Sequence, residues 1–290
     1  MFRIIKYNYK LSYGKLNPVK MKDSAKFLGK WLLYWVWILR IHFGKKVHFA
    51  SRESITLVLL SYKRIRNIEP IVKSALKCSF ISRVIISNNN PVDYKLTDYM
   101  KFKDSRVMLI EQSKREGVGN RWEIALSDSN NNFIIIDDDI FIKPGQLRKL
   151  FKELIENKRI PHGLAGSINF KKFVDKADRK VEILHQIYAV TRRQIEKYFE
   201  YKNLLEQIPS LQDIGTVDIA DDIIISNTGD SQAAIHNAGM ILRCPSSHDT
   251  SIASYLQEDF YLKRRMILDE LNEIRAVEKK INELQNIESY

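Results

Sequence analysis

Three consecutive carboxylates close an apolar run at 132–144, which reads N-F-I-I-I-D-D-D-I-F-I-K-P and leads Phe133, Ile134, Ile135 and Ile136 into Asp137, Asp138 and Asp139. Four apolar, mostly β-branched residues have the pattern of a fully buried strand. In parallel α/β sheets, ligands bind outside the carboxyl ends of such strands. Adjacent Asp side chains repel one another, so a divalent cation is their natural compensation, and hard Mg2+ or Mn2+ prefer oxygen ligands of this kind. The plain alternative is a solvated acidic turn. A second acidic pair, Asp221 and Asp222, opens the apolar part of V-D-I-A-D-D-I-I-I-S-N-T-G at 217–229. Carboxylates are favoured near a helix N-terminus, so capping competes there with chemistry. Ser247, His248 and Asp249 imitate a hydrolase triad only on paper, because chain neighbours seldom point at a common atom.

The elements that must position these groups alternate in type. Residues 55–60 read as a buried strand followed by S-Y-K-R, then a helix over 67–77 with Ile68, Ile71, Val72, Ala75 and Leu76 on one face. Further buried strands fall at 83–87, ending in Asn88-Asn89-Asn90-Pro91, and at 106–110. Strand, helix, strand at this spacing begins a doubly wound, mainly parallel sheet. E-G-V-G-N-R-W-E at 116–123 is a glycine-containing loop entering a helix over 120–127. It lacks the third Gly of a dinucleotide loop and follows the third strand, not the first. Pro144 starts a helix running to about 157 with Leu147, Leu150, Phe151, Leu154 and Ile155 on one face. Short strands are expected over 158–190, a helix over 192–207 and a loop over 208–216. A long charged helix fills 255–290, and it either packs on its own domain or pairs with another subunit as a homo-oligomer.

The net charge of +12 is unevenly placed: residues 1–50 hold eleven Lys or Arg against Asp23 alone, net +10, which leaves +2 for residues 51–290. That divides the chain into a basic aromatic extension (1–50), a main domain (51–254) and the C-terminal helix. Within the extension, W-L-L-Y-W-V-W-I-L at 31–39 is too short to span a bilayer. Trp and Tyr flanked by Lys30 and Arg40 suit an anionic membrane surface, and the competing expectation is a helix packed on the domain. A bare basic adaptor for membrane or nucleic acid would not need carboxylates at two element ends, so no nucleic-acid partner is expected. Cys78 and Cys244 stand far apart in sequence, which argues against a disulfide framework or zinc site and suits a cytoplasmic protein, peripheral on the inner face of a membrane at most.

Five pieces taken in order resemble one family. S-Y-K-R, S-N-N, G-N-R-W, D-D-D and, about 80 residues on, A-D-D-I-I-I-S-N-T-G are similar to the exostosin C-terminal glycosyltransferase domain, family 64, across residues 54–265. The resemblance implies a GT-A fold, Rossmann-like with a mainly parallel central sheet flanked by helices. It also implies a retaining transfer of N-acetylglucosamine or N-acetylgalactosamine from UDP to a glycan or glycolipid acceptor. By position, Ser61 and Arg64 would stand beside the uracil, ribose or diphosphate, Asn88 or Asn89 would contact the uridine, and Asn120 and Arg121 would hold the nucleotide sugar. Asp137 and Asp138 would lie at the donor, with Asp139, joined by Asp137, on Mn2+ or Mg2+. Asp222 would face the anomeric carbon or the acceptor hydroxyl, and Arg264, or next to it Arg265, the diphosphate. An inverting GT-A enzyme with Asp222 as base is the nearest alternative, and an Asp-x-Asp phosphatase a distant one.

Overall fold

Four apolar runs lie side by side at the centre of the molecule. The computed structural model describes residues 21–168, 170, 172–212, 217–244 and 259–288. After helix α1 (Met21–Phe43) come β1 (Ile55–Ser61), α2 (Ile68–Ala75), β2 (Ile81–Asn88), β3 (Val107–Glu111), α3 (Asn120–Ser127), β4 (Asn132–Asp137), β5 (Ile140–Phe141) and α4 (Pro144–Glu156). Short strands follow: β6 (His162–Gly163), β7 (Ala165–Ile168), β8 (Lys172–Asp175), β9 (Arg179–Lys180), β10 (Ile183–Leu184) and β11 (Ile187–Thr191). The chain continues through α5 (Arg192–Glu206), α6 (Asp221–Ser226), β12 (Ala234–Ile235), β13 (Leu242–Arg243) and α7 (Phe260–Glu288). Pro209–Gln212 forms a short helix where a loop was expected, with Leu211 buried. The Ser247, His248 and Asp249 reading and the start of the expected C-terminal helix lie outside the described residues.

The main sheet runs β3-β2-β1-β4-β11-β6-β12-β9. Its first four strands are parallel, with Val58 opposite both Ile85 and Ile135, and β11 then runs antiparallel to β4. This is the α/β, mainly parallel arrangement with flanking helices that the sequence predicts. Because side chains alternate across a strand, Leu57, Leu59, Ile134 and Ile136 join the core under α1, α2 and α4. Val58, Ile85, Phe133 and Ile135 join the one under α3, α5, α6 and α7. Each such side chain, fully buried, stabilises the fold by about 1.5–3 kcal/mol relative to exposure. The register also sets Ser61 beside Asn88 and Leu60 beside Asp137, so β1, β2 and β4 end at one common edge.

α1 settles half of the question raised by its apolar run. Tyr34, Trp37 and Ile41, at helical spacing, are buried. The Trp37 indole Nε1 donates to the Ile142 carbonyl at 3.1 Å, and the Tyr34 and Trp37 rings lie 4.7 and 5.0 Å from Phe141. The helix is therefore packed on the domain, as one of the two expectations had it, yet its opposite side carries exposed Leu32, Val36, Leu39 and Phe43. Among the described residues no helix is long and apolar enough to cross a membrane. α7 likewise packs on the body through Ile267, Leu268 and Leu271, and Glu278 accepts from Lys197 Nζ at 2.6 Å and Tyr201 Oη at 2.7 Å. Its later Val277, Ile281 and Leu284 stay exposed.

Candidate active site

The two acidic clusters, more than eighty residues apart in sequence, are joined through one guanidinium. Arg121, on the first turn of α3, donates from Nε to Asp221 Oδ2 at 2.7 Å and from Nη1 to Asp137 Oδ1 at 2.7 Å. Its Nη2 lies 2.6 Å from Asp221 Oδ2. Trp122 Nε1 donates to the same Asp221 oxygen at 3.1 Å. The loop before α3 can make this approach because it is small: a Cβ on Gly117 would stand 2.7 Å from Asp218 Oδ2, and one on Gly119 2.8 Å from Tyr198 Oη. A side chain at either glycine would have to push Asp218 or Tyr198 aside. Burial would lower the Arg121 pKa, but Asp221 and Asp137 outweigh it, so the cation is held firmly.

Each member of the acidic trio has a different environment. Asp138 is structural: its carboxylate accepts from Arg64 Nη1 and the Tyr62 amide, each at 3.1 Å, and its carbonyl accepts from Asn67 Nδ2 at 3.0 Å. The loop after β1 is thereby pinned to the end of β4. Asp137 leans on Arg121; burial pushes its carboxyl up to about 7 against the pull of Arg121, with Asp139 and Asp221 adding to the rise. Because 36% of its side-chain surface remains open, water tempers that shift. Asp139 is the least satisfied. It is only 8% exposed, its Oδ1 has no hydrogen-bond partner, and Arg64 Nη2 stands 4.0 Å from its other oxygen. Burial raises its pKa, Arg64 opposes this, and the Asp138 charge adds to it.

An orphaned, buried carboxylate oxygen is what a hard divalent cation would satisfy. Among the described residues no three His, Cys, Asp or Glu side chains gather to hold a metal by themselves. The residues fit a cation that takes Asp139, with Asp137 beside it, and draws its other ligands from water and a substrate phosphate, the usual habit of Mg2+. The Ser61 hydroxyl, buried at the same edge, also lacks a partner.

Asp222 faces differently. Burial would raise its pKa, but Arg264 and His185 pull it well below the carboxylate range. Arg264 donates from Nη1 to Oδ1 at 2.6 Å and from Nη2 to Oδ2 at 2.9 Å, while His185 Nδ1 lies 3.4 Å from Oδ2. Asp222 is thus a fixed anion at physiological pH, and Arg264 is spent on it and on the Ile219 carbonyl at 2.6 Å.

Other expected residues take supporting places. Asn88 Nδ2 donates to the Tyr94 carbonyl and to Glu111 Oε2, both at 2.6 Å. Asn89 exchanges two bonds with the Glu116 backbone, at 3.0 and 2.7 Å. Both are buried and engaged internally: Asn89 holds the loop ahead of α3, while Asn88 ties the segment after β2 to the end of β3. Asn120 opens α3 beside Arg121.

Two residues escaped the sequence. His185 sits between Asp222 and Ser167, its Nε2 3.0 Å from the Ser167 hydroxyl. Arg243, on the two-residue strand β13 paired to β5, helps hold the Asp139 pKa down. It donates from Nε to Gln186 Oε1 at 2.8 Å, and its buried Nη2 lacks a partner. Gln186 in turn has a left-handed φ of 68°, and its carbonyl accepts from the Asp137 amide at 3.0 Å. Neither residue lies in a recognisable motif, and only the folded register reveals them.

The model of glycosyl transferase family 2 matches residues 56–214, more than half of the chain and the part that carries β1 to α5. No curated protein matches the sequence. Among solved structures, it is similar to GalNAc-T7 with UDP, GalNAc and Mn2+, at 11% identity and TM-score 0.47 over 65% of this chain and 42% of that one. It is also similar to S. aureus TarS 1-349, at 11% and 0.47 over 65% and 59%. A third is the mannosyltransferase PcManGT from Pyrobaculum calidifontis with GDP-Man and Mn2+, at 15% and 0.44 over 81% and 69%. The chain spans less than two thirds of the length of the first two.

Proposed function

We propose a reaction from one premise: the chain belongs to glycosyl transferase family 2 and is a glycosyltransferase of α/β GT-A fold. In this reading the donor is a nucleoside diphosphate sugar, seated at the edge where β1, β2 and β4 end. The single observation that carries it is the Asp139 Oδ1 atom, buried and unpartnered beside Arg64 and Arg243. A divalent cation bound there would neutralise charge on the departing diphosphate and make it a better leaving group. Ser61 and Arg243 offer a hydroxyl and an N–H to the diphosphate, and Arg121 keeps Asp137 and Asp221 in place. The acceptor is a glycan or glycolipid hydroxyl. Its oxygen forms a bond to the anomeric carbon as the bond from that carbon to the diphosphate breaks, with the electron pair leaving on the diphosphate.

Asp222 is ionised, and in an inverting reaction it would take the acceptor proton on an oxygen that Arg264 also holds. A double displacement would need a carboxylate free to attack the anomeric carbon, and Asp222, Asp221, Asp137 and Asp138 are all bound to arginine, which favours inversion. The retaining reading has its own support: both Asp222 oxygens already bind Arg264, which suits an anion that stabilises positive charge at the sugar more than one that shuttles a proton. The motif order that resembles exostosin-type domains supports a UDP-linked N-acetylhexosamine as donor. Incubation with a panel of UDP- and GDP-sugars and Mn2+, followed by NMR of the product, tests all of this. A β-linked product from an α-linked donor is expected; an α-linked product would assign retention, and release of phosphate from simple phosphomonoesters would overturn the transferase reading.

A further inference from the structure

We propose that the outer face of α1 docks on an anionic lipid bilayer. The inner face is fixed by Tyr34, Trp37 and Ile41, so the opposite one is held outward as a constant ridge. Along that ridge Leu32, Val36, Leu39 and Phe43, spaced four, three and four residues apart, are 59%, 47%, 50% and 78% exposed. Single exposed apolar side chains need no explanation, but a contiguous stripe marks an interaction site. Exposed Arg40, Lys45 and Lys46 border its C-terminal end.

Charge selects the occupant. Residues 1–50 carry net +10 while the remainder carries +2. A second copy of the chain would bring a like-charged extension against the first, whereas an anionic headgroup layer is complementary, each Lys or Arg near it strengthening binding roughly fivefold. An apolar stripe edged by cations, on a helix unable to span, lies in the interface plane with its apolar side chains among the acyl chains. This inference rests on α1 and its charge, and not on the transfer reaction.

The test uses the full chain in vesicle flotation, with phosphatidylcholine alone and with phosphatidylcholine containing phosphatidylglycerol. The chain is expected to float with the anionic vesicles and to be released by salt. Val36→Glu with Leu39→Glu, both at exposed positions, is expected to weaken that partitioning at least roughly tenfold while leaving Tm unchanged. Lys45→Glu with Lys46→Glu is expected to weaken it in part. Equal flotation of the Val36→Glu/Leu39→Glu variant, absence of binding to anionic vesicles at low salt, or a dimer in light scattering that this variant dissolves would each overturn the proposal. The UDP-dependent Tm shift, measured on the same samples, reports the donor site separately.

Discussion

Replacing Arg121 by Met isolates the contact that ties the two acidic clusters together. Asp221 would lose the contacts at 2.7 and 2.6 Å and keep only the Trp122 donor at 3.1 Å. Hydrogen bonds to charged groups are worth about 1.5–3 kcal/mol each. Asp137, with 36% of its side chain open, adds under about 1 kcal/mol after solvent screening. The expected loss is therefore about 3–5 kcal/mol, the range found when one partner of a buried pair is removed.

The loss must depend on pH. The Asp221 and Asp137 pKa values are already raised by burial, and without Arg121 they rise further, so the folded variant binds more protons than its unfolded chain. Stability then falls as pH rises between the unfolded carboxylate range and the raised folded values. Urea unfolding at several pH values should show the full deficit near pH 8 and a smaller one near pH 6. A deficit that is flat with pH, or under about 1 kcal/mol at pH 8, would refute the reasoning. Asp221→Asn added to Arg121→Met should recover part of it.

Other outcomes follow from the same geometry. Asp222→Asn keeps the shape and removes the charge, so sugar transfer is expected to fall by about 10²–10⁴, while the Tm shift given by UDP with Mn2+ persists; an undiminished rate in a transfer assay would remove Asp222 from the reaction. Metal ligands must be ionised, and Asp137, raised to about 7, and Asp139, raised in the same direction, resist ionisation. Mn2+-dependent UDP binding, followed by calorimetry, should therefore weaken as pH drops through about 7; affinity unchanged from pH 8 to pH 6 would count against these ligands.

Much of this architecture was legible because local pattern and tertiary role agree. The run from Phe133 to Ile136 is buried on both faces, so it reads as a central strand, and the helix over 120–127 and the edge where β1 and β2 end were readable in the same way. What escaped was pairing across long separations. No local rule tells that Arg121 meets Asp221, that Arg264 turns to Asp222 or that Arg64 joins Asp138. Asn88 and Asn89 were visible as polar residues at a strand end, but only the fold shows their amides bound to Glu111, Tyr94 and Glu116. Arg243 and His185 sit on or beside two-residue strands too short to give a periodic signal. The nine apolar residues at 31–39 look alike on every side of a helix, and packing alone separates buried Trp37 from exposed Val36.

The central claim is that Asp139 joins a cation to the diphosphate of a sugar nucleotide, and thermal unfolding with UDP reads it most directly. At UDP a hundredfold above its Kd with Mn2+ present, the chain should gain about 2.7 kcal/mol, a Tm rise of about 4–5 °C for a chain of 290 residues. Asp139→Ala should abolish that rise without lowering the Tm of the ligand-free protein, since its Oδ1 makes no hydrogen bond and its charge repels Asp138. A UDP-induced rise of the same size in EDTA, or in Asp139→Ala, would contradict the account.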